Sequence, residues 1–367
     1  MIAKASRIAG LGVWLPPQRR GNDHWPSTWK PLSESARRKD ILALERTSGG
    51  DTPELAPEIV QAMRAHDADP FRGARFRHVI DDGMEVSDME ALAARAAMAD
   101  AQIEPQEIDL VLVASPVPDR ILPGNGPALA HKCGLVNAVA WNYEVGCAVF
   151  LPMLVTADAL IRTGAYKNVL VVASSALTRV LDYTAPMSAA FGDGAAAAVI
   201  TAGPDGFGLL GHWMRTDGAL REGAVFAPVV QGQPVRAWTR ANGEVRLMSF
   251  DPDAIKNAGR QAVHYCKEAC AGALQAAGKT MNDMALYVGA QSQGWFVEGC
   301  RLGLGLPAEK TIDTFAEVAN IGPATLLFNL HQARSLGRLH PGDHVLMYSP
   351  GVGLTRAAAC YRVAEPA

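Results

Sequence analysis

Cys147 follows a strand-like apolar run, Ala138-Val139-Ala140-Trp141-Asn142-Tyr143, and precedes a helical pattern over 148–163 that Gly164 closes. A sulfur at a strand-to-helix junction lies near the first free N–H groups of the helix. Those donors and the helix dipole favour the thiolate. A thiolate so placed is a nucleophile suited to accepting an acyl group. The competing reading is a small, inert cysteine that fills a gap in the core. Glu144 stands three residues earlier. Its carboxylate could act as a base towards an incoming amine or hydroxyl if it faced the thiol. Strand alternation puts 144 and 146 on one face and 145 and 147 on the other, unless the chain bends at Gly146. A negative charge there would also oppose the thiolate. Pro152 lies in the early turns of the following helix, where loss of a backbone donor predicts a kink.

The whole chain bounds what such a nucleophile could serve. Its 367 residues are 49% hydrophobic and 19% charged, with a formal net charge of −3. That is globular composition with length for one large or two medium cores. It carries no electrostatic footprint for nucleic acid. The residues after Met1 run into a strand-like 8–15 rather than a signal-peptide apolar core, and no apolar run reaches the roughly 20 residues of a membrane helix. The six cysteines, at 133, 147, 266, 270, 300 and 360, show no paired CxxC spacing. Neither a zinc site nor a disulfide framework is indicated, and a reducing cytoplasm is the expected compartment.

The elements that must position Cys147 appear twice. A helical stretch at 89–101 precedes an apolar strand at 110–114; a long amphipathic helix at 255–277 precedes an apolar strand at 285–288. The helix after Cys147 leads to a strand at 168–173, then Phe191-Gly192-Asp193-Gly194 and a strand at 195–200. In the second half a helix at 324–335 leads to a strand at 344–348, then Gly351-Val352-Gly353 and a strand at 357–363. Continuous apolar strands alternating with helices predict largely parallel sheets covered on both faces. The repetition predicts a duplicated α/β unit, with halves at 1–200 and 250–367. Segment 201–249, rich in Gly, Arg and Trp, reads as a connecting loop-and-hairpin excursion. Segment 21–72 reads as an insertion, helical after Pro53, that covers a surface or a tunnel mouth.

Several stretches carry a resemblance. They are Ile8 through Pro16, Phe71-Arg72-Gly73-Ala74-Arg75-Phe76-Arg77-His78, Gly146-Cys147-Ala148, Ala157 through Gly164, and Phe191-Gly192-Asp193-Gly194-Ala195-Ala196. In this order and spacing the chain resembles the ketoacyl synthase III enzymes of the thiolase superfamily over nearly its whole length. The resemblance implies a duplicated five-layer α-β-α-β-α fold and a homodimer. It implies ping-pong chemistry in lipid or specialised-metabolite biosynthesis, in which Cys147 takes an acyl group from coenzyme A or an acyl-carrier protein and a second substrate receives it. Coenzyme A or phosphopantetheine thioesters are then substrates, and no bound cofactor or metal is implied. Asn320, in Val318-Ala319-Asn320-Ile321-Gly322, matches the family's catalytic asparagine. Backbone N–H groups of Cys147, Val352 and Gly353 correspond to its oxyanion hole; glycines permit the close approach this needs. Arg72, Arg75 and Arg77 are candidates for coenzyme A or carrier phosphates, against a solvated basic face. Asp193 reads as structural. His131, His264 and His331 fall at no catalytic position.

One departure alters the expected mechanism. The family's histidine position reads Gly289-Ala290-Gln291-Ser292-Gln293, so Ala290 stands where an imidazole belongs. Losing one preorganised donor costs about 10²–10³ in rate, and alanine neither accepts nor relays a proton. Standard decarboxylative condensation is disfavoured, unless Gln291 or Gln293 supplies the donor; otherwise these glutamines are loop polar groups. The leading expectation is acyl transfer to an amine, a hydroxyl or an already activated carbon. The alternatives are a decarboxylating carbon–carbon condensing enzyme, a catalytically impaired partner subunit of a heteromeric synthase, and thioester hydrolysis.

Overall fold

A computed structural model gives the structure over residues 5–26, 55–66, 68–183, 185–230, 233–234, 244–248 and 251–365. Most of the 21–72 insertion lies outside these residues, and with it the expected cover of a tunnel mouth. In chain order the elements are β1 (Ala5–Trp14), β2 (Arg19–Gly21), α1 (Pro57–Arg64), β3 (Phe76–His78), α2 (Val86–Ala101), β4 (Leu110–Ala114), α3 (Asn125–Cys133), β5 (Val139–Asn142), α4 (Phe150–Arg162), β6 (Asn168–Ser175) and β7 (Gly194–Gly203). There follow β8 (Gly208–Thr216), β9 (Val225–Val230), β10 (Gln233–Pro234), β11 (Glu244–Met248), α5 (Pro252–Ala277), β12 (Leu286–Gly289), α6 (Phe296–Gly303), α7 (Phe315–Val318), α8 (Thr325–Ser335), β13 (His344–Gly351) and β14 (Thr355–Arg362).

The duplication shows in the pairing. One sheet runs β1-β7-β6-β4-β5 and the other β12-β13-β14-β8. In each, the first strand of the half (β1 or β8) pairs antiparallel with the last (β7 or β14), which pairs antiparallel with a strand that is itself parallel to the next. β5 has only a vestige in the second half, an isolated parallel bridge between Tyr287 and Thr311. The sheets are therefore mixed, not largely parallel. Strands buried on both faces read as continuous apolar runs in either direction, so the sequence pattern does not report strand sense.

Three apolar layers cement five structural ones. Ala93, Ala94 and Ala97 of α2 pack on the outer face of the first sheet with Val111, Val172 and Val199. Phe150 and Leu154 of α4 and Leu327 and Leu330 of α8 fill the space between the sheets. Cys266, Ala269 and Ala273 of α5 cover the outer face of the second sheet with Tyr287 and Tyr348. Both halves use one packing device. A Cβ on Gly10 or Gly12 of β1 would meet α2 backbone at 2.4 and 2.2 Å, and one on Gly211 of β8 would meet the Ala277 nitrogen of α5 at 2.4 Å. Glycine in the strand against alanine in the helix lets the layers close. This corrects the reading of 201–249: β8 is a full strand of the second sheet, and its glycines serve packing. Only β9, β10 and β11, a separate antiparallel ribbon, are the hairpin excursion. Pro152 is the third residue of α4, where the N–H groups have no intrahelical acceptor, and the helix continues to Arg162.

Candidate functional site

Cys147 occupies a short 3-10 turn, Gly146–Ala148, at the entry to α4. The turn forms because Val145 leaves the extended region (φ −150°, ψ 31°) and Gly146 takes φ 56°, a left-handed conformation that favours glycine. A Cβ on Gly146 would come 2.7 Å from the Val352 nitrogen, and one on Gly351 would come 2.4 Å from the Val145 carbonyl oxygen. Two glycines, one on each turn, therefore let the nucleophile turn seat against the 351–353 turn. Gly353 (φ 76°) shapes that second turn. Ser349, a residue the sequence reading passed over, completes the seat by donating its hydroxyl to the Cys147 carbonyl at 2.9 Å. Its only signal in the sequence is its place just before the glycine turn.

The bend at Gly146 brings Glu144 to the turn, against strand alternation. Its Oε1 accepts the Gly146 N–H at 2.7 Å, so the carboxylate caps the bend. The charge also reaches the thiol. Burial, with the Glu144 carboxylate behind it, pushes the Cys147 pKa up to about 11, against the pull of the residue's own backbone N–H. The expected thiolate stabilisation at a helix start is thus outweighed: desolvation and a like charge win over the dipole. The side chain is partly exposed.

Asn320 follows Ala319, which is held at φ 56° and ψ −152°. Its backbone bridges Phe191 in parallel, receiving the Gly192 N–H at 3.1 Å and donating to the Ala190 carbonyl at 2.9 Å. Its Oδ1 accepts the Gly322 N–H at 2.8 Å. That bond orients the amide and leaves Nδ2 without a protein acceptor among the described residues. The turn at Gly322–Ala324 packs on the Gly146–Ala148 turn, which places this amide in the nucleophile's neighbourhood. Asp193 is structural as expected. Buried in the glycine-flanked turn, it accepts from the Ile80 N–H at 2.9 Å and from the Thr178 N–H at 3.1 Å. Burial raises its pKa, with those donors pulling it down.

Ala290 joins the same neighbourhood through β13. Its N–H donates to the Tyr348 carbonyl at 2.9 Å, one residue from Ser349. The two glutamines divide. Gln293 Oε1 accepts the Trp295 indole N–H at 2.9 Å, an exposed local contact. Gln291 is fully buried, and its Oε1 collects Thr314 N–H at 2.7 Å, Thr314 hydroxyl at 3.1 Å and Asn329 Nδ2 at 2.9 Å. The Thr314 N–H and the Asn329 amide on the oxygen fix the amide's orientation, and Nε2 is left as a buried donor with no acceptor among the described residues. Thr314 and Asn329 were not legible as partners, being 23 and 38 residues away.

The three arginines separate. Arg77 is only 1% exposed; its Nε donates to the Ala189 carbonyl at 2.6 Å, and its guanidinium lies over the rings of Trp25 and Phe71 at 4.7 and 5.4 Å. Burial lowers its pKa to about 10. It holds the fold together and is unavailable to a phosphate, which corrects its candidacy. Arg75 is exposed and paired, with Arg19, to Glu317. Arg72 takes φ 53° in the preceding turn. His131 and His264 sit on outer helices α3 and α5, and His331 on α8 feels Arg334 and Asp100.

A cysteine on a left-handed turn, seated on a glycine turn beside an oriented asparagine amide in a duplicated five-layer fold, defines a thiolase-fold enzyme of the transferase class. Two family descriptions match: 3-oxoacyl-[acyl-carrier-protein (ACP)] synthase III over residues 142–218, and the C-terminal part of the same enzyme over residues 274–363. The chain is 32% identical over 295 residues to the β-ketoacyl-[acyl-carrier-protein] synthase III of Geobacillus kaustophilus, covering 79% of this chain and 87% of that one. It belongs to the β-ketoacyl-[acyl-carrier-protein] synthase III family. In solved structures the fold recurs in the 3-oxoacyl-(acyl carrier protein) synthase III of Pseudomonas aeruginosa PAO1, with a TM-score of 0.77, 24% identity and 99% of both chains covered. It recurs in the priming β-ketosynthase of the R1128 polyketide pathway, with a TM-score of 0.76, 22% identity and 100% and 98% covered.

Proposed function

We propose that this protein is an acyltransferase of the ketoacyl synthase III type that forms an acyl thioester on Cys147 from an acyl-coenzyme A or acyl-carrier protein. It then passes the acyl group to a second substrate in lipid or specialised-metabolite biosynthesis. The observation that carries this reading is the glycine-on-glycine seat of the nucleophile turn on the 351–353 turn. It packs the nucleophile turn against the 351–353 turn; the Cys147, Val352 and Gly353 N–H groups would together stabilise a tetrahedral oxyanion. With its pKa near 11, the thiol is mostly protonated at neutral pH, so attack needs the proton removed as the thioester binds. Glu144, whose charge reaches the sulfur, is the candidate acceptor. Asn320 would hold the second substrate through Nδ2. With Ala290 in the histidine position, the acceptor is an amine, a hydroxyl or an activated carbon that brings its own reactivity.

Gln291 favours a second reading. Its orphan Nε2, with the Asn320 amide, would give two donors for an enolate, as decarboxylative condensation requires. A homodimer is the proposed assembly, the chain acting in the cytoplasm. β5 is an edge strand with Val139 and Trp141 42% and 38% exposed, an edge suited to pairing with its own copy. Coenzyme A or carrier phosphates would meet Arg72 and Arg75.

The test is intact-protein mass after incubation with acyl-coenzyme A thioesters of different chain lengths, beside Cys147→Ala. A gain of one acyl group that the variant lacks is expected. The trapped species is then offered malonyl thioesters, amines and alcohols. Carbon dioxide release would establish the second reading. Absence of acylation with both coenzyme A and carrier donors, joined by co-purification of a related chain, would instead make this an impaired partner subunit.

A further inference from the structure

Away from the nucleophile turn, a buried carboxyl group on α2 is hydrogen-bonded to the element that anchors a loop. Glu90, on α2, is wholly enclosed. Asn125, the first residue of α3, donates Nδ2 to both of its oxygens, at 3.0 and 3.1 Å. Ser174, near the end of β6, stands 2.6 Å from Oε1 and 3.1 Å from the partly exposed Ser115 hydroxyl. Burying a carboxylate is costly, and its hydrogen bonds offset the desolvation only in part.

The partners point to what it holds. The other end of the Asn125 amide, Oδ1, accepts the Asp119 N–H at 2.9 Å, within the 116–124 loop. The tip of that loop is Ile121 and Leu122, 72% and 88% exposed. The next residue, Gly126, donates its N–H to Asn142 Oδ1 at 2.9 Å, at the end of the strand that feeds Cys147. Glu90 thus grips a single asparagine that ties the loop to α3, next to the tie between α3 and the nucleophile's strand.

We propose that Glu90 is the positioning residue of the 116–124 loop, clamping it through Asn125 and loosening it when the carboxylate takes up a proton. Ionised, Glu90 chelates the Asn125 amide with two charge-assisted bonds while Ser174 donates to it. On protonation a proton from solvent adds to Oε1, the new O–H donates to Ser174, and Ser174 turns its own proton towards Ser115. The serine pair thus carries the change to the partly exposed end without breaking a bond. The Asn125 amide is left on a neutral acid, a weaker acceptor. Burial raises the Glu90 pKa to about 7, so the change falls in the physiological range. The ionisable groups that face Glu90 among the described residues are Asp119 of the loop, which raises its pKa, and the Cys133 thiol of α3. β6 and β7 carry none. Lys132 is engaged by Glu85, Ser87 and Asp88, and Arg7 of β1 by the Glu365 carbonyl.

The experiment reads the loop, so it stands whether or not Cys147 acylates. Exchange of the Asp119 amide, corrected for intrinsic rate, is followed by mass spectrometry from pH 5.5 to 8.5. Tryptic cleavage after the exposed Arg120 is measured alongside, normalised to a reference peptide. Exchange and cleavage about fivefold faster below pH 7 than above it are expected in the wild type, the ratio that charge adds to a hydrogen bond. Glu90→Gln keeps the shape but removes the charge, and should be fast at every pH. Asn125→Ala, which leaves Glu90 in place, should loosen the loop in the same way if Glu90→Gln folds poorly. A loop equally protected on both sides of pH 7, or unchanged by both substitutions, would overturn the proposal.

Discussion

Replacing Gly351 by alanine tests whether the approach of two turns builds the acylation site. Gly351 has φ −115°, so alanine meets no backbone strain there and the effect is one of space alone. The added Cβ would lie 2.4 Å from the Val145 carbonyl oxygen and 3.2 Å from the Ala148 nitrogen, both rigid backbone. To reach even 3.0 Å the turns must part by at least about 0.6 Å, and a misplacement near 1 Å costs about 10²-fold in a positioned reaction. Acylation of Cys147 by an acyl-coenzyme A, followed as intact mass against time, should slow about 30- to 100-fold in Gly351→Ala. Gly353→Ala is the control. Its Cβ meets nothing within 4 Å, but φ is 76°, so it should lose about 1 kcal/mol of stability while the turns keep their spacing. Acylation of Gly351→Ala within threefold of wild type, with thermal unfolding unchanged, would refute the argument that this seat makes the site.

Three further outcomes follow from the charges. Alkylation of Cys147 by iodoacetamide, measured by mass, should rise about tenfold per pH unit from 7 to 10 without a plateau, since the thiolate is held back to a pKa near 11; Glu144→Gln should move the curve to lower pH. The raised Glu90 pKa means the folded state binds a proton that the unfolded chain releases near 4.5, so its contribution is most favourable at acid pH. It is lost as pH rises from about 4.5 to about 7, by up to roughly 3 kcal/mol, and is level above that; urea midpoints at pH 5 and 8 should show this step, and Glu90→Gln should flatten it. Arg77→Lys should destabilise the fold by about 2–3 kcal/mol in urea titrations, because an ammonium cannot keep the Ala189 and ring contacts together; Arg75→Ala, at an exposed ion pair, should cost under about 1 kcal/mol.

Local patterns carried much of the reading. Cys147 at a strand-to-helix junction, the paired glycine motifs and the twofold order of elements were all visible as short-range signals, and the fold follows them. What stayed hidden depended on distant partners or on degree of burial. β8 reads as loop because the segment is rich in glycine, whereas its Gly211 answers to Ala273 and Ala277 on α5. A helix start is visible in sequence, but the desolvation that overrides it at Cys147 is not. Arg77 looks like any surface arginine until Trp25 and Phe71 close over it. Gln291 declares itself only through Thr314 and Asn329.

The missing fifth strand of the second sheet bears on how far copies of this chain can join. A sheet of open edges is a template that can be extended at both ends without limit. Here β1 is occupied on its free side, its Ile8 N–H taken by the Tyr361 hydroxyl and its Leu11 N–H by Asp100. β12 ends at the single bridge to Thr311. β5 is the open end of the first sheet, so that sheet has one place to add another. In the homodimer proposed above, two such ends would consume each other, and growth would stop at a closed pair rather than running on into a fibre.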